Sequence, residues 1–403
     1  MSVEMEVELN NGYKMPVIGL GTWMATDEDS LTAAVHEALK LGYRHIDTAS
    51  AYDNEHVIGK VLKEWFDEGK LTQKVEKFLR RSLEALQLDY VDMYLIHVPF
   101  TVVEHVGPNG QPFAGFKEDG TVYMDESTDL VAIWKIQRVV TITNMSSGKC
   151  SRNGDEIFVT TKLPGYGNVP EKVEKFLRRS LEALQLDYVD MYLIHVPFTL
   201  VEHVGPNGQP CVGFKEDGTV DMDESTDLVA IWKEFEKFQR QGLTRSIGVS
   251  DFNMNQIERI LKNCEIRPSN HQFEYHAALQ VDDMVSFCKD NDIVCTGYAT
   301  LGSGAASSFA EVPGLLNNST VVEIAEKHKK TAAQVLRHSV QKGLVVIPKS
   351  TNPERVKENF EIFDFELDDE DMDALAGLDC NFRIYDFEQY FFKGIKNHPE
   401  YPY

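Results

Sequence analysis

Basic residues are scarce in this chain. Lys and Arg number 40 against 64 Asp and Glu in 403 residues, a formal charge of −24. A surface so charged repels nucleic acid and anionic membranes, which argues against either as the main partner. No run reaches the roughly 18 apolar residues that a membrane helix needs. The N-terminal MSVEMEVELNNGYKM has no basic start followed by an apolar stretch, so no secretory leader is expected. Cysteine is also sparse. Cys150, Cys211, Cys264, Cys288, Cys295 and Cys380 form no C-x-x-C and show no metal-like pairing, which fits a reducing, cytoplasmic setting and no bound metal. What is present is an ordinary globular composition, 42% hydrophobic and 26% charged, able to bury a sizeable core. At about 150 residues per domain, the length suits two or three domains, or one large domain with an insertion.

A duplication dominates the chain. Residues 74–135 recur at 172–233, and only four of the 62 positions differ: Val102/Leu200, Phe113/Cys211, Ala114/Val212 and Tyr123/Asp221. A unit copied once is not a solenoid, which needs at least three repeats to build a continuous core.

Outside the first copy, β-rich runs alternate with helical ones. Strands are expected at 16–22, 43–47, 156–162, 189–195, 244–250, 269–273, 292–298 and 343–349. The segment 30–42 carries Leu31, Val35, Ala38 and Leu39 on one helical face, and 173–186 carries Val173, Phe176, Leu177, Leu181 and Leu184. Further helices are expected near 54–68, 225–241, 254–263, 281–290 and 320–342. Eight strand–helix units imply right-handed crossovers, a parallel sheet and an α/β fold of the (β/α)8 TIM-barrel type. An open doubly wound sheet competes less well, because Gly19-Leu20-Gly21-Thr22 lacks the third glycine of a dinucleotide fingerprint. Ahead of the barrel, a hairpin should turn at Asn10-Asn11-Gly12 and plug its lower end. The aromatic C-terminal loop, Asn381 to Tyr403, drapes over an apolar surface or is simply a packing tail.

In a barrel the active site lies at the C-terminal ends of the strands. There the second strand ends in Asp47, followed by Tyr52; the third ends in Lys162 and the fourth in His195. Singly, each has a dull explanation as a helix cap, a solvated cation or a structural histidine. Together they converge from three neighbouring strands. A phenol normally ionises near pH 10, and an adjacent ammonium lowers that value by favouring the phenolate. Lys162, held by Asp47, fills that role, with His195 orienting a carbonyl oxygen beside Tyr52. The chemistry is proton donation to a carbonyl oxygen while hydride arrives at carbon.

These residues stand in a stretch, GYRHIDTASAYDNEHVIG at 42–59, that resembles the first signature of the aldo-keto reductase family. IPKSTNPERVKEN at 347–359 is similar to the family's C-terminal signature. The resemblance covers nearly the whole chain outside the insertion. It implies an NADP-dependent oxidoreductase that takes small-molecule carbonyl substrates and works as a monomer. Asp47, Tyr52, Lys162 and His195 would be its catalytic tetrad, with Tyr52 as general acid and NADPH bound in extended form. Lys349, Ser350 and Arg355 are donors suited to clamping an adenosine 2′-phosphate, the arginine as a bidentate fork. By resemblance Glu358 and Asn359 reach the adenine and Tyr298 stacks on the nicotinamide. Ser250 and Gln272 hold the carboxamide, Thr22 lies nearby, and Leu301 and Ser303 line the pyrophosphate stretch. Trp23, Val196, Phe198, the 199–224 loop and the aromatic tail would enclose a mostly apolar substrate pocket.

Departures from the family are informative. Asp251 stands where the family usually has Asn, and a carboxylate accepts where an amide donates to a carboxamide oxygen. It must therefore bind the carboxamide amine or hold nicotinamide less well. Ala299-Thr300 replaces the common Ser-Pro, His271 replaces an Asn, and Val196 stands where aldose reductase-like members carry Trp.

Two copies of VDMYLIH, at 91–97 and 189–195, compete for the fourth strand. Only the second follows the third strand through a helix, so His195 is the expected catalytic histidine and His97 its displaced double. The expected organisation is a barrel from 1–72 and 155–403, with 73–154 a duplicated insertion. One reading is two alternative exons retained together, with Ile136–Ser151 as translated filler. The other is a genuine extra helix and strand on the lower face. On the exon reading, a non-catalytic cofactor-binding barrel or a misfolded product is the alternative to an active reductase. Removing 73–154 leaves 403 − 82 = 321 residues. Intact-mass measurement on native protein is expected to give the shorter species; the full mass would establish the insertion as real.

Overall fold

The structure is a computed structural model. It describes residues 5–68, 70–71, 157–206, 208–303, 314–335 and 338–403, and, within 72–156, only four short strands. The chain divides into two compact units, Met1–Glu64 with Ile157–Tyr403, and Trp65–Glu156.

The first unit is built on eight parallel strands: β1 (Leu20–Gly21), β2 (His45–Asp47), β3 (Phe158–Leu163), β4 (Val189–Ile194), β5 (Thr244–Ser250), β6 (Asn270–Glu274), β7 (Val294–Tyr298) and β8 (Val345–Val346). Each pairs with its successor in the chain. Ile18 also bridges Val346, and Gly21 bridges Lys349, both in parallel, so the first and last strands close the ring. Gly21 is required at this seam, because a Cβ there would lie 2.5 Å from the Ile347 carbonyl oxygen. Every residue of β3, β4 and β5 is buried. That is the pattern of parallel strands covered on both faces.

Helices cover the ring: α1 (Glu28–Leu41), α2 (Glu55–Asp67), α3 (Pro170–Leu184), α4 (Leu228–Arg240), α5 (Met254–Asn263), α6 (Asp282–Asp290), α7 (Ser319–His328), α8 (Pro353–Phe360) and α9 (Asp369–Ala376). The apolar stripes expected of α1 and α3 are the faces they bury. Asp27 caps α1 by accepting from the Ser30 amide, and Gly42 at φ 101° ends it in the left-handed conformation. The single helix expected over 320–342 is instead broken. Lys329 closes α7 at φ 55°. Thr331 then starts a new turn, its hydroxyl accepting from the Gln334 amide and its own amide donating to the Gln334 side chain. T-A-A-Q is a capping box, a start signal hidden inside an otherwise continuous helical period.

The N-terminal hairpin pairs Glu6–Glu8 with Lys14–Pro16, and Gly12 turns it at φ 85°. Leu9 and Met15 reach into the lower mouth against Phe158, Met191, Leu193 and Val345. The turn is tied down by Asn10 Nδ2 donating to the Pro268 carbonyl (2.7 Å) and Asn11 Nδ2 donating to Ser246 Oγ (2.9 Å).

The fourth place in the ring is held by the second copy of the duplicated strand. Leu193 of β4 lies opposite Lys162 on one side and Gly248 on the other. Residues 91–97, His97 included, lie outside the described residues. Two ladders of the first copy are described, Thr101–Val102 with Met124–Asp125 and Glu104–Val106 with Pro112–Ala114. The second copy forms the same ladders at Thr199–Leu200 with Met222–Asp223 and Glu202–Val204 with Pro210–Val212. Three of the four differences between the copies, at 102/200, 113/211 and 114/212, fall in these ladders, and the pairing is the same in both.

Met15 is 1% exposed and Met5 is 53% exposed. Met15→Ala is expected to cost about 2–5 kcal/mol in denaturant unfolding, and Met5→Ala within about 0.5 kcal/mol of zero. Equal effects would show that the hairpin does not seal the barrel.

Candidate active site

Asp47 is the last residue of β2, and a short helical turn, Ser50–Tyr52, lifts Tyr52 over the strand ends. Lys162 is the penultimate residue of β3. His195 follows β4 directly, its amide donating to the Leu163 carbonyl at 3.1 Å. Lys162 Nζ donates to Asp47 Oδ1 at 2.5 Å and to the Thr48 carbonyl at 2.9 Å. Gln272 Nε2 donates to the other Asp47 oxygen at 2.8 Å. Lys162 and Asp47 are 0% and 2% exposed. The ammonium lies 5.3 Å from the centre of the Tyr52 ring, and the His195 ring sits edge-on to Tyr52 at 5.6 Å between centroids. The four side chains expected to converge do so.

Their electrostatics differ from the sequence expectation in one respect. The Tyr52 phenol is held well above its ordinary pH 10, first by burial, then by the Asp47 and Asp251 carboxylates and by Tyr385. Lys162 does not pull it down on balance, because Asp47 already matches its charge at hydrogen-bond distance. The phenol therefore keeps its proton at working pH. His195 is pushed down to about 3 by burial and by Lys162, so its imidazole is neutral. A neutral imidazole orients a carbonyl oxygen but is a poor proton source near pH 7.

Tyr52, Asp47 and His195 open onto a cavity of about 790 Å³. The same cavity is also lined by Lys349, Ser350, Arg355, Glu358 and Asn359, and by Thr22, Ser250, Asp251, Gln272, Tyr298, Leu301 and Ser303. Asn352 caps α8 there, its side chain accepting from the amides of Glu354 and Arg355. Lys349 is half-buried and its pKa is lowered by that burial; among the described residues it has no carboxylate partner. The Thr300 hydroxyl is buried against the cavity without a hydrogen bond. An unmatched cation beside a helix N-terminus suits an anion. The unsatisfied hydroxyl in the cavity wall suits a polar ligand, so these residues fit a dinucleotide phosphate.

Asp251 sits in the left-handed region at φ 56°. Its Oδ1 accepts from the hydroxyls of Tyr298 (3.0 Å) and Tyr403 (3.2 Å), and its Oδ2 from Ser250 (3.4 Å). Burial raises its carboxyl to about 6 despite Arg383.

Trp23 and Val196 line the cavity, as expected of a substrate wall, whereas Phe198 does not. Phe198 is fully buried one layer back, edge-on to Phe387 at 5.3 Å and Phe392 at 6.1 Å. Sequence cannot separate wall from backing, because alternation along an irregular loop gives no inside–outside period. Tyr166, placed by Pro164-Gly165 after β3, and Tyr385, Phe387, Phe391 and Phe392 of the tail also line the cavity. The tail is thus a wall of the site. Its anchor is Glu274, fully buried at the end of β6, which accepts from the amides of Ile384 (2.6 Å) and Tyr385 (2.9 Å). A charged residue in an otherwise buried strand was the available signal.

The family model described as Aldo/keto reductase family matches residues 17–133 and 144–379. The chain is 35% identical over 404 positions to prostaglandin F synthase 1 of Bos taurus, covering 98% of this chain and 97% of that one. It is 32% identical over 379 positions to aldo-keto reductase family 1 member A1 of Mus musculus, covering 94% and 90%. The solved structure of the aldose reductase from Schistosoma japonicum superposes with a TM-score of 0.69 at 31% identity, covering 99% of both chains. A closed parallel barrel with ionisable groups gathered at its strand ends is here the fold of an oxidoreductase. The chain belongs to the aldo/keto reductase family and reduces carbonyl groups.

Because the folded carboxyl of Asp251 titrates above its ordinary 3.8, ionising it works against the fold, and stability is lost as pH rises through about 6. Asp251→Asn removes that loss. Its melting temperature is expected to rise relative to the unmutated chain between about pH 4 and pH 7. A difference that does not change with pH would show an unperturbed carboxyl.

Proposed function

We propose that this chain reduces aldehydes or ketones with NADPH, and that Tyr52 donates the proton. The observation that carries the reading is the buried Lys162–Asp47 pair beneath Tyr52, with a neutral His195 facing the same ring. NADPH, when bound, supplies hydride to the carbonyl carbon. His195 orients the carbonyl oxygen toward the Tyr52 hydroxyl. As negative charge grows on that oxygen, Tyr52 releases its proton and Lys162 stabilises the phenolate left behind. Gln272, already bonded to Asp47, extends the network toward the carboxamide position. Lys349, Ser350 and Arg355 hold the 2′-phosphate, Glu358 and Asn359 the adenine, and Leu301 and Ser303 the pyrophosphate. Tyr298, Ser250 and Asp251 hold the nicotinamide end, with Thr22 beside it. Trp23 and Val196, with Tyr385, Phe387 and Phe391, form the carbonyl pocket.

The rest of the reading is a monomer in the cytoplasm. It is supported by the family resemblance and by cysteines without paired spacing. Among the described residues, no helix is long and apolar enough to cross a membrane. Residues 73–154 we assign to a duplicated insertion in a barrel made by 1–72 and 155–403. The repeated ladders of the two copies support that assignment.

Four variants test the assignment, three by NADPH oxidation with a panel of carbonyl compounds and one by cofactor affinity. Tyr52→Phe is expected to lose about 10²–10⁴-fold in turnover while still binding cofactor. His195→Ala is expected to lower the rate and His97→Ala to leave it unchanged; the reverse would move the site to the first copy. Charge-assisted hydrogen bonds are worth about 1.5–3 kcal/mol, so Arg355→Ala should cost NADPH roughly ten- to hundredfold in Kd and leave NADH nearly untouched. Equal affinities in the unmutated protein would remove the phosphate clamp.

A further inference from the structure

Tyr385 belongs to both halves of the cavity. Its hydroxyl is hydrogen-bonded to the hydroxyl of Ser303. Its ring lies edge-on to Trp23 at 5.1 Å and to Tyr298 at 5.4 Å, and stacks on Phe391 at 6.0 Å. Its backbone is pinned by its amide donating to Glu274 Oε2 at 2.9 Å. The other Glu274 oxygen takes the Ile384 amide at 2.6 Å and His276 Nε2 at 2.9 Å. The tyrosine is thus held at backbone, ring and hydroxyl. Ser303 is itself constrained, at φ 41°, a left-handed conformation that a serine adopts only when its surroundings impose it.

A serine hydroxyl has one proton and two lone pairs, and its rotation decides where the proton points. Burial holds the Tyr385 phenol at about 12, so it carries its proton at any working pH. If that proton is given to Ser303 Oγ, the Ser303 proton is left to turn into the cavity. There it meets an acceptor such as a phosphate oxygen. We propose that Tyr385 is a positioning residue that orients the Ser303 hydroxyl as a donor toward the cofactor's phosphates and, through the same bond, sets the ring that forms the carbonyl-pocket wall. Occupying one half therefore improves the other. This rests on the NADPH reading and deepens it.

The test is a double-mutant cycle on the full chain with Tyr385→Phe, Ser303→Ala and both together. NADPH Kd is read by protein fluorescence, and KM and kcat by NADPH oxidation with one aromatic aldehyde. Tyr385→Phe keeps the ring and removes only the hydroxyl. Each single variant is expected to raise the NADPH Kd and the aldehyde KM by roughly three- to tenfold, with kcat within about twofold; the double variant should be no worse than either. Multiplying effects, an unchanged Kd in Tyr385→Phe, or a loss confined to kcat would overturn the coupling. If the unmutated chain binds and uses NADPH but the cycle multiplies, only the coupling falls. If the unmutated chain does not bind NADPH, the cofactor reading falls and the coupling with it.

Discussion

One buried ion pair organises the upper face of the barrel. Lys162 and Asp47 sit on adjacent strands with almost no exposure, 2.5 Å apart. Taking both charges from water is costly, and the attraction repays it only when the remaining donors and acceptors are met. Here they are met, by the Thr48 carbonyl on the ammonium and by the Gln272 amide on the carboxylate. A hydrophobic pair of the same volume would serve stability as well or better. The pair makes sense under the proposed chemistry, in which it keeps a fixed charge 5.3 Å from the ring centre of the phenol that gives up its proton.

The same pair accounts for the titration pattern around it. Asp47 cancels much of the field of Lys162 at Tyr52, so burial governs the phenol and keeps it protonated. Among the described residues His195 has no carboxylate against it, and burial with the nearby ammonium keeps it neutral. Asp251 also ionises against burial, although three hydroxyls and Arg383 face it. One environment therefore yields a protonated phenol, a neutral imidazole and a reluctant carboxylate from three ordinary side chains.

The scaffold holds these groups still. The hairpin seals the bottom with Leu9 and Met15, and the seam through Ile18 and Gly21 closes the ring. Glu274 reaches from the end of β6 to hold the C-terminal tail against the mouth. Strand ends from around the ring can then converge on one cavity, with loops supplying its walls. A family whose members take different carbonyl compounds can vary those walls and leave the strand ends alone.

Local sequence by itself determined the strands and helices, the hairpin turn at Asn10-Asn11-Gly12, and the polar residues at the ends of β2, β3 and β4. These follow from period, capping and turn chemistry, which are short-range. It also marked the capping box at Thr331, though a continuous apolar period concealed it. Chain order had already assigned the fourth place, since only the second of the two identical strands follows β3 through a helix, and that copy is β4 of the ring. Tertiary structure alone decided the rest. It set the direction of the Tyr52 shift, because burial and Asp47 outweigh an ammonium that the spacing alone made look dominant. It put Phe198 behind the wall and Tyr385 in it, because which side of an irregular loop faces a cavity depends on packing that no short-range pattern encodes.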